Sequence, residues 1–284
     1  MGKMDAKDAL PLLQETLAEF NKDKATRLAA ALAYYTIFSL APLLIIAIAV
    51  AALVLGQKGA TEQIFEQLHG LIGDSGATAI QSMIESANQP KSGIVAIVVG
   101  AITLLCGASG VFGQLQDALD TIWDAEPKAH NGLLDFLKNR FLSFAMVLGT
   151  GFILLVSLVL SAAISAASKI FADAFAGLQY VGEAVNLALS LLIVTVMFAL
   201  IFKILPNTKI GWRDVWLGAF TTSLLFTIGK ILLGLYLGRG AVASSYGAAG
   251  SLIVVLLWVY YSSMILLFGA EFTEVYARHH GTRK

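Results

Sequence analysis

Between Arg239 and Glu271 the chain reads GAVASSYGAAGSLIVVLLWVYYSSMILLFGA, a run of 31 residues without a charged side chain. A hydrocarbon core of about 30 Å needs roughly 20 apolar residues in a helix. The run is therefore long enough to cross a bilayer. It indicates a helix, because lipid offers no hydrogen-bond partners and an α-helix satisfies its backbone groups internally.

Five further stretches are free or almost free of charge, and the only charged residue inside them is Lys230. They run between Arg27 and Lys58, Lys91 and Asp117, Arg140 and Lys169, Glu183 and Lys203, and Asp214 and Arg239. The composition agrees, since 57 % of the residues are hydrophobic and 13 % are charged, against about a quarter charged in soluble domains. We expect an all-α polytopic membrane protein with six transmembrane helices plus amphipathic interfacial helices.

The chain divides into three segments. We expect a cytoplasmic amphipathic helix in 1–27, the transmembrane domain in 28–272 and a basic cytoplasmic tail in 273–284. The N-terminal helix carries an apolar stripe at helical spacing, formed by Leu10, Leu13, Leu17 and Phe20. This pattern favours a helix on the inner leaflet, and the alternative is a helix packed on a neighbouring loop. The loop 56–92 carries two amphipathic pieces that could form a lid, although a surface cap is favoured.

The distribution of Lys and Arg predicts the orientation. On one side lie Lys3, Lys7, Lys22, Lys24, Arg27, Lys128, Lys138, Arg140, Lys209, Arg213, Arg278, Arg283 and Lys284. On the other side lie only Lys58, Lys91, Lys169 and Arg239. Because the basic side faces the cytoplasm, and an even number of spans returns the chain to the same side, both termini are expected in the cytoplasm.

Two spans contain residues that permit bending. Pro42 lies in the middle of the first span, where it removes a backbone hydrogen bond. Gly107, Gly110 and Gly113 lie at the end of the second span and permit a close approach of helices. We interpret all four as candidate hinges.

Polar side chains occur in the middle of the first and sixth spans. Hydroxyl groups need hydrogen-bond partners that lipid does not supply. The candidates are Tyr34, Tyr35 and Ser39 in the first span and Trp258, Tyr260, Tyr261 and Ser263 in the sixth. They either join the helices or line a translocation path, and we expect an internal polar cavity between the two spans.

Three further polar residues are candidates for binding a solute. Lys230 is charged within a span, so it either reaches the interface by its long side chain or faces a cavity and binds an anionic group. Glu271 lies with Glu274 at the inner end of the sixth span, where a carboxylate would reach water. The alternative is a polar cluster at the inner mouth, which would include Asn207.

The sequence carries no pattern of a catalytic centre. The four histidines His69, His130, His279 and His280 lack metal-ligand spacing. There is no phosphate-binding glycine loop and no basic aromatic groove for nucleic acid. We expect no enzyme activity, no metal and no cofactor; the expected partners are membrane lipids and an unknown solute.

Four blocks occur in order along the chain: Ala31 to Pro42, Gly110 to Trp123, Leu205 to Ala219, and Ser245 to Thr273. Together they resemble the YihY / virulence factor BrkB family, whose members also carry an older ribonuclease BN label. The resemblance implies a six-span protein of the bacterial cytoplasmic membrane, in a family discussed as transporters or lipid-handling proteins. It brings no established reaction, and the residues give the nuclease label no support.

The favoured function is a transporter or exporter of an amphipathic or anionic solute, possibly a lipid. Bendable spans, polar aromatic residues in mid-span and the lack of room for a soluble domain favour it. The alternative is a structural or regulatory membrane scaffold without transport activity.

Overall fold

The computed structural model describes residues 6–87, 110–125, 178–208, 210–237 and 250–280. All regular structure in these ranges is α-helical. The helices are α1 (Ala6–Lys22), α2 (Ala25–Ala87), α3 (110–122), α4 (Leu178–Ile204), α5 (Trp212–Leu237) and α6 (Gly250–His280). The all-α prediction is confirmed for this part of the chain.

Three of the described helices are long and apolar enough to cross a membrane. The apolar segments are Leu187–Ile204 in α4, Trp212–Leu233 in α5 and Leu252–His280 in α6. They coincide with the predicted fourth, fifth and sixth spans. The predicted first span falls within α2, while the third and nearly all of the second lie outside the described residues, so the count of six stays a prediction.

Helix α2 contains 63 residues, which would span about 95 Å if it were straight. It is not straight, because one apolar cluster contains Ile48, Ala60 and Ile80 together with Val255 and Val259 of α6. Gly56 has a φ angle of 72°, a left-handed conformation that glycine adopts without strain. The segment predicted as an outer loop is therefore helical as far as Ala87, with its apolar residues packed against α6.

The second apolar cluster lies toward the other end of α6, around Leu267, Ala270 and Ala277. Helix α1 also packs there through Phe20, so we call this part of the bundle the α1 end. All six described helices contribute to it. Leu119 of α3, Trp123 directly after α3 and Phe202 of α4 are almost fully buried there. Helix α6 contacts α1, α2 and α5, so it is the element around which the described helices assemble. Helix α6 continues without interruption to His280, beyond residue 272, where we expected the transmembrane domain to end and the tail to begin.

Candidate functional site

A shallow groove between α5 and α6 brings together three of the candidates from the sequence. Lys230 of α5 lies beside Trp258 and Tyr261 of α6. Each helix presents one face to the groove, since its lining residues recur at spacings of three and four. The remaining lining residues are Phe226, Gly229, Leu233, Ser262 and Ile265. The groove holds no space large enough for a water molecule, so a ligand would lie along it rather than inside it.

The groove is narrow because α5 and α6 approach closely at Gly229. A β-carbon at this position would lie 2.6 Å from Cδ1 of Ile265 and 3.0 Å from Cε1 of Tyr261. Glycine therefore lets the Tyr261 ring rest against the backbone of α5. The Trp258 ring packs edge-on against Phe226, with ring centroids 6.3 Å apart, and this contact fixes the other side of the groove.

The polar groups of the groove can donate hydrogen bonds but include no carboxylate. Lys230 is exposed and forms no ion pair with any residue that the structure describes. Nε1 of Trp258 is buried and has no hydrogen-bond partner within the described ranges. An indole N–H is a donor only, and an ammonium group has three donors and no acceptor. This set of groups suits an anionic or oxygen-rich head group.

The polar residues of the first predicted span lie elsewhere. Tyr34 and Tyr35 are 60 % and 44 % exposed and form an aromatic cluster with Phe38, which is 65 % exposed. Ser39 is buried, and its hydroxyl donates to the carbonyl of Tyr35 at 2.8 Å. None of these residues lines the α5–α6 groove. A polar cavity between the first and sixth spans stays a prediction.

Tyr260 and Ser263, the remaining candidates of α6, are half-buried and do not line the groove. Tyr260 packs at the border of both apolar clusters. Of the candidate hinges, Pro42 lies within α2, and Gly107 lies outside the described residues. A β-carbon on Gly110 would lie 3.5 Å from the ring of Tyr35, whereas Gly113 has open space around it in the described part of the chain.

Asn207 joins the loop between α4 and α5 to α3. Its backbone N–H and its side-chain Nδ2 donate to the two carboxylate oxygens of Asp120 at 2.7 and 2.6 Å. At the end of α4, Nζ of Lys203 donates to the carbonyl of Ile210 in this loop and lies 5.6 Å from the centre of the Trp212 ring. Asn207 therefore has a structural partner that sequence reasoning missed, although Asp120 belongs to one of the blocks that carried the family resemblance.

Glu271 is buried at the α1 end, with 1 % of its surface exposed. Neither carboxylate oxygen has a hydrogen-bond partner among the described residues. The expectation that this carboxylate reaches water is wrong, because α1 packs on this face of α6, with Phe20 against Phe268 and Glu19 paired with Arg278. The charged groups that act on it are the carboxylates of Asp23, Glu274 and Glu19 and the ammonium group of Lys22.

Ion pairs fasten α1 to the end of α6. Arg278 lies 3.3 Å from Glu15, 3.4 Å from Glu19 and 3.3 Å from Glu274, which is on its own helix. His279 lies 2.6 Å from Glu15. Exposed pairs of this kind contribute about 0–1 kcal/mol each. The apolar contact of Phe20 with Phe268, at 5.9 Å between ring centroids, supplements them.

Two acidic groups of the α1 region have shifted pKa values. The hydrogen bond from Lys22, at 2.6 Å, lowers the pKa of Glu19, and the hydrogen bond and charge of Arg278 act in the same direction. Burial raises the pKa of Asp23 in the turn between α1 and α2. Acid therefore changes the free energy of unfolding in opposite directions through the two groups: protonation of Glu19 destabilises the folded protein, and protonation of Asp23 stabilises it.

Helix α1 has one buried face and one exposed apolar stripe. On the buried face, Leu12, Thr16 and Phe20 pack against the bundle. Leu10, Leu13 and Leu17 form a second stripe that is 66 %, 46 % and 48 % exposed. The predicted stripe is therefore divided, since Phe20 packs inward while its three leucines face outward.

No three His, Cys, Asp or Glu residues within the described ranges are placed to hold a metal ion. His279 pairs with Glu15, and His280 stacks on the ring of Tyr276 at 5.0 Å. The histidines of α6 thus have structural contacts.

Three helices that are long and apolar enough to cross a membrane indicate a helical membrane protein. Comparison with known proteins gives the family: residues 16–284 match the model of the virulence factor BrkB family, and the chain belongs to that family. No solved structure matches.

The curated relatives carry the name UPF0761 membrane protein. One from Azotobacter vinelandii is 30 % identical over 273 residues, which cover 93 % of this chain and 62 % of the relative. One from Alkalilimnicola ehrlichii is 26 % identical over 92 % of this chain and 57 % of its own length. One from Mannheimia succiniciproducens is 26 % identical over 90 % of this chain and 86 % of its own length. The chain thus spans little more than half the length of several relatives that it matches.

Proposed function

We propose that this protein binds and moves an anionic, lipid-like amphiphile along the groove between α5 and α6. The observation that carries the proposal is the exposed ammonium group of Lys230, which has no carboxylate partner among the described residues, in a groove that is otherwise mostly apolar. An unpaired cation is costly in an apolar medium, so an anionic, acceptor-rich ligand would stabilise it.

The shape of the groove favours an amphiphile over a small soluble anion. Small-molecule sites are normally concave and bury most of the ligand, whereas this groove has no enclosed space for even a water molecule. A hydrocarbon chain can lie against Leu233 and Ile265 while its head group meets Lys230. Lys230 is about 10 Å along the helix from Leu237, the last residue of α5, which suits a head group near a membrane interface.

The proposal includes the setting of the protein. Six spans and cytoplasmic termini rest on the nearly charge-free stretches and on the bias in Lys and Arg, whereas the bacterial inner membrane rests on the resemblance to the family. In this setting the groove lies in the outer half of the bilayer, and the α1 end faces the cytoplasm. No chemical reaction is assigned to the chain.

The test is lipid movement in vesicles that contain the purified full chain. Fluorescent analogues of an anionic and of a zwitterionic phospholipid are compared, with transfer between leaflets read by an impermeant quencher. We expect the wild-type protein to speed the anionic analogue. Lys230→Gln is expected to reduce this rate about tenfold, which corresponds to ~1.4 kcal/mol of lost interaction.

Matched variants separate charge from packing. Lys230→Arg keeps the cation, and Lys58→Gln removes an exposed cation from α2, so both are expected to retain the rate. Trp258→Phe keeps the aromatic contact with Phe226 and removes only a buried donor, so it is also expected to retain the rate. An equal rate for Lys230→Gln and wild type, at equal incorporation, would refute the role of the groove.

The second candidate function is a membrane scaffold without transport. The close packing of α5 on α6 at Gly229 favours it, since closely packed helices resist the separation that a passing ligand needs. A protein that leaves both lipid analogues at the rate of empty vesicles, yet retains a partner protein on purification, would support this function.

A further inference from the structure

Glu271 is a buried acidic residue whose carboxylate has no hydrogen-bond partner in the described part of the chain. Its side chain is 1 % exposed, and both carboxylate oxygens lack a hydrogen-bond partner there. Glu274, one turn further along α6, is also buried but lies 3.3 Å from Arg278. An ionised carboxylate in a dry site needs such a partner, whereas the neutral acid does not. The surroundings of Glu271 therefore suit the protonated form.

The charges around Glu271 point to the same form. Asp23 in the α1–α2 turn, Glu19 of α1 and Glu274 of α6 are acidic and disfavour a further negative charge. Lys22 is the opposing cation, but its ammonium group is engaged with Glu19 at 2.6 Å. Arg278 is shared among Glu15, Glu19 and Glu274.

A metal cation does not suit this position. Hard cations such as calcium require six or more oxygen ligands, and within the described ranges no cluster of acidic residues or histidines is arranged to hold one. A proton needs only the one carboxylate.

We propose that Glu271 is a proton-binding site that is loaded in this conformation and exchanges its proton with water when α1 and the α1–α2 turn move away. Helix α1 packs on the face of α6 that carries Glu271, through Phe20 on Phe268 and Glu19 on Arg278. In the turn that follows α1, Lys24 has a φ angle of 55°, a left-handed conformation that non-glycine residues rarely adopt. Exposed ion pairs from Glu15 and Glu19 to α6 hold α1 in place, and such pairs are weak enough to break. The proton site is independent of the groove between α5 and α6. Binding and release of its proton can be coupled to the transport of a solute.

Carbodiimide labelling of the full chain in nanodiscs tests the protonation. Dicyclohexylcarbodiimide enters from the membrane and reacts with protonated carboxyl groups, and the adduct is located by peptide mass spectrometry. We expect labelling at Glu271 near neutral pH that declines as the pH rises. Glu271→Gln should abolish the adduct, and the matched variant Glu274→Gln should retain it. Absence of the adduct at every pH would overturn the proposal, as would labelling of Glu271 no greater than that of Glu274.

The movement of α1 is tested separately with a water-soluble carbodiimide. In a Cys106→Ala background, Glu15→Cys and His279→Cys are joined by a reducible bis-thiosulfonate linker. We expect the linked protein to be labelled at Glu271 about tenfold more slowly, with the rate restored on reduction. Equal rates before and after reduction would show that α1 is not the cover.

Infrared spectroscopy distinguishes a protonated Glu271 from an ionised residue with a structural role only. If Glu271 is protonated, the infrared spectrum of the wild type contains a carboxylic acid carbonyl band that is missing from Glu271→Gln. Identical spectra from two folded proteins would overturn the proposal. This readout requires no transport activity, so its failure and the failure of the lipid assay are distinguishable.

Discussion

The hydroxyl of Thr273 on α6 occupies the space that a β-carbon on Gly218 of α5 would need. The relationship is repeated in reverse one turn away, where the hydroxyl of Thr222 on α5 fills the space beside Gly269 on α6. Each threonine donates to the carbonyl of the glycine four residues earlier on its own helix, at 2.6 Å. The hydroxyls are thus satisfied while the helix backbones come close, which makes this crossing the firm contact between the two helices that form the groove.

Alanine at Gly218 or Gly269 is expected to destabilise the protein. The new methyl group meets a threonine that is fully buried, and overpacking of this kind costs about 1–3 kcal/mol. Thermal unfolding in detergent measures the effect. Gly113→Ala is the control, because the space around Gly113 is open in the described part of the chain; a loss as large in the control would show that alanine acts through something other than this contact.

The Asp120–Asn207 contact is expected to hold the α4–α5 loop on α3. Asn207→Ala leaves the Asp120 carboxylate with only the backbone donor, and a hydrogen bond to a charged group is worth about 1.5–3 kcal/mol, at the low end for an exposed one. We expect lower thermal stability and faster proteolysis in the loop.

Exchange of the two residues provides the control for that contact. In Asp120→Asn with Asn207→Asp, an amide and a carboxylate still face each other, so the double variant should recover part of the stability that each single change removes. Additive losses would mean that the two side chains do not act as a pair.

Acid is expected to weaken the attachment of α1 through Glu19. Because its pKa in the folded protein lies below the ordinary value of 4.5, its contribution is complete above that value and disappears as the pH falls through the folded pKa. Asp23 opposes this, since a raised pKa means that the folded state takes up a proton more readily. The unfolding temperature, followed from about pH 6 to pH 3 in an Asp23→Asn background, should fall less steeply once Glu19→Gln is added.

The outward leucines of α1 are expected to contact lipid. A spin label at Leu13→Cys, in a Cys106→Ala background, should be reached by dissolved oxygen, which partitions into the bilayer. A label at Ala18→Cys, also exposed but on the opposite side of the helix, should be reached by a water-soluble relaxation agent. Equal access of the aqueous agent to both labels would place α1 away from the membrane surface.

The topology is expected to place residue 89 outside and the C-terminus in the cytoplasm. Single cysteines at Gln89 and Lys284, in the Cys106→Ala background, are exposed to an impermeant thiol reagent on intact cells. Only the first should react. Labelling at position 284 as well would contradict the orientation drawn from the Lys and Arg distribution.

The helices of this protein could be predicted from sequence because lipid leaves few alternatives. A long charge-free run such as that before Glu271 must satisfy its backbone internally, and α6 follows directly from it. The two-sided character of α1 is visible in its spacing, but which leucines turn inward depends on the surface of α6. The family resemblance rests on local blocks of residues and needed no structure.

The relationships between helices were decided by tertiary structure alone. Lys230 and Trp258 are 28 positions apart in the chain and meet only because Gly229 admits a close crossing. Glu271 is buried on the face of α6 that packs against α1, which lies about 250 residues earlier in the chain. Hydrophobic periodicity reports which residues avoid water, and so the sequence determined the helices and their apolar faces. It carries no information on which faces meet, because packing between helices is set by shape and by distant contacts.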